Sequence, residues 1–196
     1  AIIYLGAGRA TFINNTYVVW AGLLAVWFLG EKLKPRLMLS CAASLIGIAL
    51  LTKVLNTGVS PSLYDGLALL TAFGSASVAV LIRSLHDREH TSTIYGAQCF
   101  YGMILCGIPT LVSAPDIPHN LWLALLGPSL IASLSQLCMT RAYRELPVGQ
   151  AVIFPTLVPV GVTIGGVIIF SEPFQLSDII GAALIIAGTI WAAKQK

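Results

Sequence analysis

Charge-free apolar stretches follow one another along almost the whole chain and are parted only by short polar turns. An α-helix rises about 1.5 Å per residue and the hydrocarbon core of a bilayer is about 30 Å thick, so roughly 20 apolar residues cross it. The pattern predicts seven complete spans, approximately Thr11–Leu29, Leu37–Thr52, Gly66–Ile82, Ser92–Ala114, Leu121–Thr140, Ala151–Phe170 and Ile179–Ala193. Ala1–Ala7 reads as the tail of an eighth. The expected fold class is therefore all-α, a polytopic transmembrane helix bundle. The chain opens inside apolar sequence with neither an initiator Met nor a basic leader, and reads as an N-terminally truncated fragment.

Composition agrees, with 57% apolar and only 10% charged residues, against about 25% charged in a soluble domain. A soluble chain of this length cannot hide nearly all its surface in one core. The basic residues give an orientation. Nine of the eleven fall at Lys32–Arg36, Arg83–Arg88, Arg141–Arg144 and the C-terminal Lys194 and Lys196, all on one side if every span crosses; Arg9 and Lys53 lie on the other. The positive-inside rule makes the Lys32–Arg36 loop and the C-terminus cytoplasmic. Cys41, Cys99, Cys106 and Cys138 stand singly inside spans, with no metal-ligand spacing, and read as small buried apolar residues.

A shift of 141 positions lays the first complete span and its successor on the last two without a gap, pairing Gly8 with Gly149, Ala10 with Ala151, Val19 with Val160, Glu31 with Glu172, Ala42 with Ala183 and Gly47 with Gly188. An acidic turn, Leu-Gly-Glu31-Lys or Phe-Ser-Glu172-Pro, follows the first span of each copy. Five crossings separate the copies, which reverses their direction, and inverted repeats of this kind mark many secondary transporters. Residues 1–54 then read as the end of one five-helix repeat, 55–65 as a non-cytoplasmic linker and 66–196 as the second repeat of a ten-helix (5+5) protein.

These residues carry a resemblance. Gln136-Leu-Cys-Met-Thr140-Arg-Ala-Tyr-Arg144 leading into Val148-Gly-Gln-Ala151, then Pro159-Val160 and Phe170-Ser-Glu172-Pro, with Leu5-Gly-Ala-Gly8 through Phe28-Leu-Gly-Glu31-Lys in the first half, resemble the EamA family of the drug/metabolite transporter superfamily. The resemblance covers essentially the whole chain. It implies transport of a metabolite, amino acid or drug-like solute across a bacterial cytoplasmic (inner) membrane. The motifs speak for family rather than solute. Asn14 and Asn15 depart from the repeat, standing where the second copy has Pro155 and Thr156.

Polar side chains are expensive in hydrocarbon and mark interior faces or cavities. Ser129, Ser133, Gln136 and Thr140 share one helical face, as do Tyr95, Gln98 and Gly102 on another helix and Thr71 with Ser75 on a third. Asn14 and Tyr17 share a face of the first complete span, and Pro155 and Pro159 should kink the sixth. The expected substrate cavity is therefore lined by Asn14, Tyr17, Gln98, Gln136, Thr140, Pro155 and Pro159. The same residue types also serve helix-to-helix hydrogen bonding, and Gly161-x-x-x-Gly165 reads as a close-packing pair. Glu31 and Glu172 are expected to shape turns or pair with loop charges.

No span carries an acidic or basic residue near its centre, and His86-Asp-Arg-Glu-His90 lacks the HExxH order, so it reads as a solvated loop. Neither a nucleophile–base constellation nor a GxxxxGK[ST] loop is present. The expectation is a non-enzymatic, non-ATP carrier using alternating access, with a small-molecule solute and the lipid bilayer as its partners and no cofactor, metal or nucleic acid. A non-transporting membrane scaffold is the alternative, and an intramembrane enzyme a more distant one.

Overall fold

The computed structural model describes residues 7–32, 34–54, 62–113, 119–170 and 175–194. The Ala1–Ala7 tail up to Gly6, most of the 55–65 linker, Ala114 and the Glu172 turn lie outside the described residues. Each of the seven expected spans falls in helix, and no strand occurs among the described residues.

Helices α1 (Ala7–Asn15) and α2 (Tyr17–Leu29) make one crossing with a break at Thr16. There the Thr16 hydroxyl donates to the Ile13 carbonyl at 2.6 Å and the Asn15 amide to the Thr11 carbonyl at 2.8 Å. Such local bonds compete with the helix ladder and bend it. Gly30 ends α2 at φ +65°, a left-handed conformation that glycine adopts without a Cβ penalty. Helix α3 (Pro35–Leu51) begins on a proline, whose missing N–H costs nothing at that position.

Helices α4 (Leu63–Leu85), α5 (Thr91–Ser113) and α6 (His119–Glu145) follow. Pro155 and Pro159 divide the next crossing, as expected, into α7 (Val148–Ala151), a 3-10 turn at Phe154–Leu157 and α8 (Val158–Phe170). The last helix, α9 (Leu176–Ala193), starts with a capping box in which Asp178 accepts the Gln175 N–H at 3.0 Å. Five helical stretches, at Gly8–Leu29, Leu63–Leu85, Thr91–Val112, Val148–Ile169 and Leu176–Ala193, are long and apolar enough to cross a membrane; α3, at 17 residues, is shorter. Large side chains face outward, with Trp27, Leu63, Leu111 and Val112 each 81% exposed, a surface that suits lipid.

The chain divides into two compact units, residues up to Leu81 with those from Pro147 onward, and Ile82–Leu146. In the first, α3 and α9 run antiparallel along a seam of small residues. A Cβ on Gly47 would meet the Gly181 carbonyl oxygen at 2.6 Å, and one on Gly188 would meet Ser44 Oγ at 2.9 Å and the Ser40 carbonyl oxygen at 3.0 Å. Ile48, Ile185 and Val160 form the core over this seam, with Phe12, Leu51 and Ala182 packed against it. Trp20 meets Phe73 edge-on at 5.8 Å between α2 and α4.

In the second unit the turn after α4 caps α6. Arg83 donates to the Tyr143 carbonyl at 3.0 Å and to the Arg144 carbonyl, and His86 Nε2 lies 2.8 Å from the Thr140 carbonyl oxygen. The Tyr143 and Arg144 carbonyls are among the last of the helix, which a basic side chain such as Arg83 satisfies, while the Thr140 carbonyl lies a turn further back. His86 is thus a helix-tying residue rather than a solvated one, and His90 Nδ1 sits 3.1 Å from Ser92 Oγ at the start of α5.

Two expectations are corrected. Cys99, Cys106 and Cys138 are exposed and only Cys41 is half-buried, because in a bundle of this kind apolar small residues also populate the outward face. Gly161 and Gly165 make no close approach among the described residues; the close glycine packing lies at Gly8, against the Thr52 carbonyl, and at Gly47, Gly181 and Gly188 instead.

Candidate functional site

The first unit holds a cavity of about 1100 Å³. Asn14 and Asn15 reach it from the end of α1, Tyr17 from the start of α2, Thr52 from the end of α3, Thr71 from α4, and Pro155, Pro159 and Thr163 from the broken crossing. The break explains why the crossing opens here. Proline has no N–H to give, and the Thr156 N–H turns to the Ile153 carbonyl at 3.0 Å, leaving the Val152 carbonyl to take the Tyr17 hydroxyl at 2.9 Å. Tyr17 is thereby fastened across from α2 to the kink.

On the other side of the kink the chain is closed. Val148, Ala151, Val152 and Ile153 are fully buried. Glu31 Oε1 accepts the Val148 N–H at 3.0 Å, and the Gln150 amide donates to the Ala192 carbonyl at 3.2 Å. Glu31 was expected to shape a turn or pair with loop charges; the partner found is the Val148 N–H at the start of α7. A carboxylate accepting an N–H at a helix start is a favourable pairing that sequence spacing alone does not reveal.

Among the described residues, no Asp, Glu, Lys, Arg or His lines the cavity. Three charges lie within a turn of lining residues in sequence: Lys53, which follows Thr52 and reaches Asp178 only at 4.0 Å, and a pair in which Arg9 Nη2 lies 2.7 Å from Asp65 Oδ2 with both side chains mostly buried. Arg9 stands between two lining residues, Gly8 and Ala10, and Asp65 lies one turn before a third, Ala68.

The structure brings four of the seven anticipated residues, Asn14, Tyr17, Pro155 and Pro159, to this one cavity. Gln98, Gln136 and Thr140 belong to the second unit and do not line it. Gln98 is half-buried, its Oε1 without a hydrogen-bond partner among the described residues. Gln136 is exposed, and the buried Thr140 donates to the Gln136 carbonyl at 2.9 Å. Thr71, noted with Ser75 as a polar face, lines the cavity too, and Thr11, Asn15, Thr52 and Thr163 do so without having been singled out as site residues. A signal existed for two of these four. Pro155, Pro159 and Thr163 fall at i, i+4 and i+8 on one face, and Thr11 lies one turn before Asn14.

Comparison with known proteins gives a consistent picture. A family described as the EamA-like transporter family matches residues 1–53 and 62–193. The pseudopaline exporter CntI of Pseudomonas aeruginosa is 26% identical over 204 residues, covering 100% of this chain and 69% of the exporter. A Helicobacter pylori protein described as a transporter is 27% identical over 157 residues, covering 74% of this chain and 51% of its own length. Among solved structures, one crystal structure superposes with a TM-score of 0.78 over 96% of this chain and 69% of its own, at 18% identity. That last likeness speaks for the fold alone.

Proposed function

The chain belongs to the EamA-like transporter family, and from that premise we propose that it carries a small metabolite, amino acid or drug-like solute through the cavity around Asn14 and Tyr17 by alternating access, without ATP. It is an integral membrane protein. The observation that carries the proposal is the cavity itself, about 1100 Å³, where the amides of Asn14 and Asn15 and the hydroxyls of Tyr17 and four threonines stand among apolar lining residues. Polar groups in such a setting are kept for a solute or for packing, and here they converge on space.

An inverted repeat is part of the same reading, with residues 1–54 closing the first half, 55–65 linking and 66–196 forming the second. Several coincidences support it. Shifted by 141, Tyr17–Leu29 falls on Val158–Phe170, and the first residues of α1 and α3, Ala7 and Pro35, fall on Val148 and Leu176, the first residues of α7 and α9. The seam behaves likewise. The contacts of Gly47 with Gly181 and Ile185 become, under the shift, contacts of Gly188 with Ser40 and Ser44, and both sets occur. Two halves related in this way can exchange which end of a cavity is sealed. We place the protein in the bacterial cytoplasmic membrane with the Lys32–Arg36 loop and the C-terminus cytoplasmic, on the charge asymmetry of the loops.

The direct test measures uptake and efflux of a labelled metabolite and amino-acid panel in vesicles containing the full-length protein, against empty vesicles. Saturable movement is expected; none across the panel, with the protein inserted and folded, would shift the reading to a membrane scaffold. Asn14 is exposed toward the cavity, so Asn14→Leu should leave membrane levels unchanged while lowering kcat/KM about tenfold or more, the worth of one polar contact. Gln136→Leu separates the units: normal transport at normal membrane levels removes Gln136 from the pathway.

A further inference from the structure

Two segments at equivalent places in the chain are held in different roles. Under the shift of 141, Ala7–Asn15 of α1 falls on residues 148–156. In α1, Gly8, Ala10, Thr11, Asn14 and Asn15 line the cavity; of residues 148–156, among the described residues, only Pro155 does. Val152 and Ile153 are fully buried, while their counterparts Thr11 and Phe12 are half-buried. Pro155 stands where α1 has Asn14, so the break is written into the sequence. Whether a segment borders space or fills it is decided by what holds it in place.

Residues 148–153 are held mainly from outside. Helix α7 is four residues long, and the first N–H groups of so short a helix have no partner within it. Pro147 and Pro155, neither with an N–H to give, bound the segment. Three side-chain bonds tie it to both ends of α2 and to the end of α9: Glu31 Oε1 accepts the Val148 N–H at 3.0 Å, the Tyr17 hydroxyl donates to the Val152 carbonyl at 2.9 Å, and the Gln150 amide donates to the Ala192 carbonyl at 3.2 Å. Glu31 is aimed by the left-handed Gly30 turn, which folds the Glu31 N–H back onto the Ala25 carbonyl at 3.2 Å. Glu31 adjoins the Lys32–Arg36 loop and Ala192 the C-terminus, whereas the cavity takes Leu51 and Thr52 from the opposite end of α3.

We infer that residues 148–153 are the gate over the cytoplasmic end of the pathway and that Glu31 is its latch. The Val148 N–H leaves the Glu31 carboxylate when the gate opens, and the cavity then passes to the cytoplasmic side. Glu31 acts as a positioning residue, since it touches the gate rather than the solute. A charge-assisted bond whose two partners regain water on opening biases such an equilibrium about tenfold or more without locking it. The inference rests on the carrier reading above and adds the groups that switch its access.

The test uses the full-length protein with its native cysteines replaced by alanine and one reporter, Asn14→Cys, facing the cavity. Right-side-out and inside-out membrane vesicles are treated with a membrane-impermeant maleimide. The reporter should label faster from the non-cytoplasmic face. Glu31→Leu deletes the acceptor and should raise labelling from the cytoplasmic face about tenfold while lowering it from the other. Glu31→Gln keeps an oxygen acceptor and should stay near the parent. Gln150→Leu takes the amide from the Ala192 carbonyl, should shift labelling the same way, and serves where Glu31→Leu fails to reach the membrane. Thermal midpoints and membrane levels confirm that each variant folds. Rates unchanged in the folded leucine variants, a rise from both faces together, or a parent labelled faster from the cytoplasmic face would overturn the gate. The solute panel, run on protein that keeps Asn14, reads the carrier separately. Solute movement alongside unchanged labelling leaves the carrier standing without this gate, whereas labelling that shifts as expected while no solute moves upholds the gate and brings down the carrier reading.

Discussion

Gly47→Leu is expected to prevent the first unit from assembling, with a drop in thermal midpoint large enough that little folded protein survives extraction in detergent. The first atom of any side chain at this position would lie 2.6 Å from the Gly181 carbonyl oxygen and 2.7 Å from Ile185 Cγ1. The carbonyl oxygen is backbone and cannot swing aside, so α3 and α9 would have to part. Parting them uncovers Ile48 and Ile185, both fully buried. Lipid offers no hydrophobic force to hold helices together, since tails are as apolar as the side chains they replace; close van der Waals packing between small residues does that work.

Overpacking of a close contact costs about 1–3 kcal/mol and more where backbone must move, a large fraction of the roughly 5–15 kcal/mol that folding leaves in hand. Gly161→Ala is the control. Its Cβ would meet nothing within 4 Å, and alanine inside a helix is favoured over glycine by about 0.5–1 kcal/mol. A Gly47→Leu protein melting within a degree or two of the parent would show that the seam is looser than the contacts imply.

Much of this architecture was legible in the order of residues, for a reason specific to lipid. Every backbone polar group must be satisfied within its own crossing, so length and apolarity alone locate helices. Pro155 and Pro159 announced the kink because the missing N–H is written in the residue type. The break at Thr16 was not announced. Threonine and asparagine are tolerated inside helices, and whether Thr16 and Asn15 turn to their own backbone is decided by the neighbours, not the spacing. The seam shows the same limit. Gly161-x-x-x-Gly165 carries the more familiar spacing, yet Gly47, Gly181 and Gly188 make the contact, since a glycine's use depends on which helix lies opposite.

The cavity was half visible. Asn14, Tyr17, Pro155 and Pro159 stood out as costly or helix-breaking residues, whereas a threonine such as Thr163 looks like any back-bonded hydroxyl until the space beside it is known. The partner of Glu31 was not legible because the Val148 N–H lies 117 positions away and is a backbone group with no signature in sequence.

Arg9 and Asp65 give the second large effect, and their value depends on being examined together. Both side chains are mostly withdrawn from solvent, at 14% and 17% exposure with 2.7 Å between Nη2 and Oδ2. Removing one partner from a pair so placed strands the other charge, at about 3–5 kcal/mol, whereas replacing both with apolar groups is close to neutral. Arg9→Met alone should therefore destabilise strongly; Asp65 would keep a negative charge whose Oδ1 already lacks a hydrogen-bond partner among the described residues. Asp65→Leu alone should do at least as much harm, because Asp65 Oδ2 also accepts the Ser62 N–H at 2.7 Å at the start of α4, a cap worth about 1 kcal/mol.

The double variant should recover most of that loss and fall short of the parent by roughly the cap alone. A coupling of about 2–3 kcal/mol from the four thermal or chaotrope midpoints is the expected result, with little dependence on salt because a buried pair is weakly screened. The other ion pairs set the scale. Lys53 reaches Asp178 only at 4.0 Å with its side chain 42% exposed, and Arg141 and Glu145 are 74% and 65% exposed, so each should contribute about 0–1 kcal/mol. If the Arg9 and Asp65 losses simply add, the pair has no more grip than those surface neighbours, and the end of the cavity beside it is held by helix packing alone.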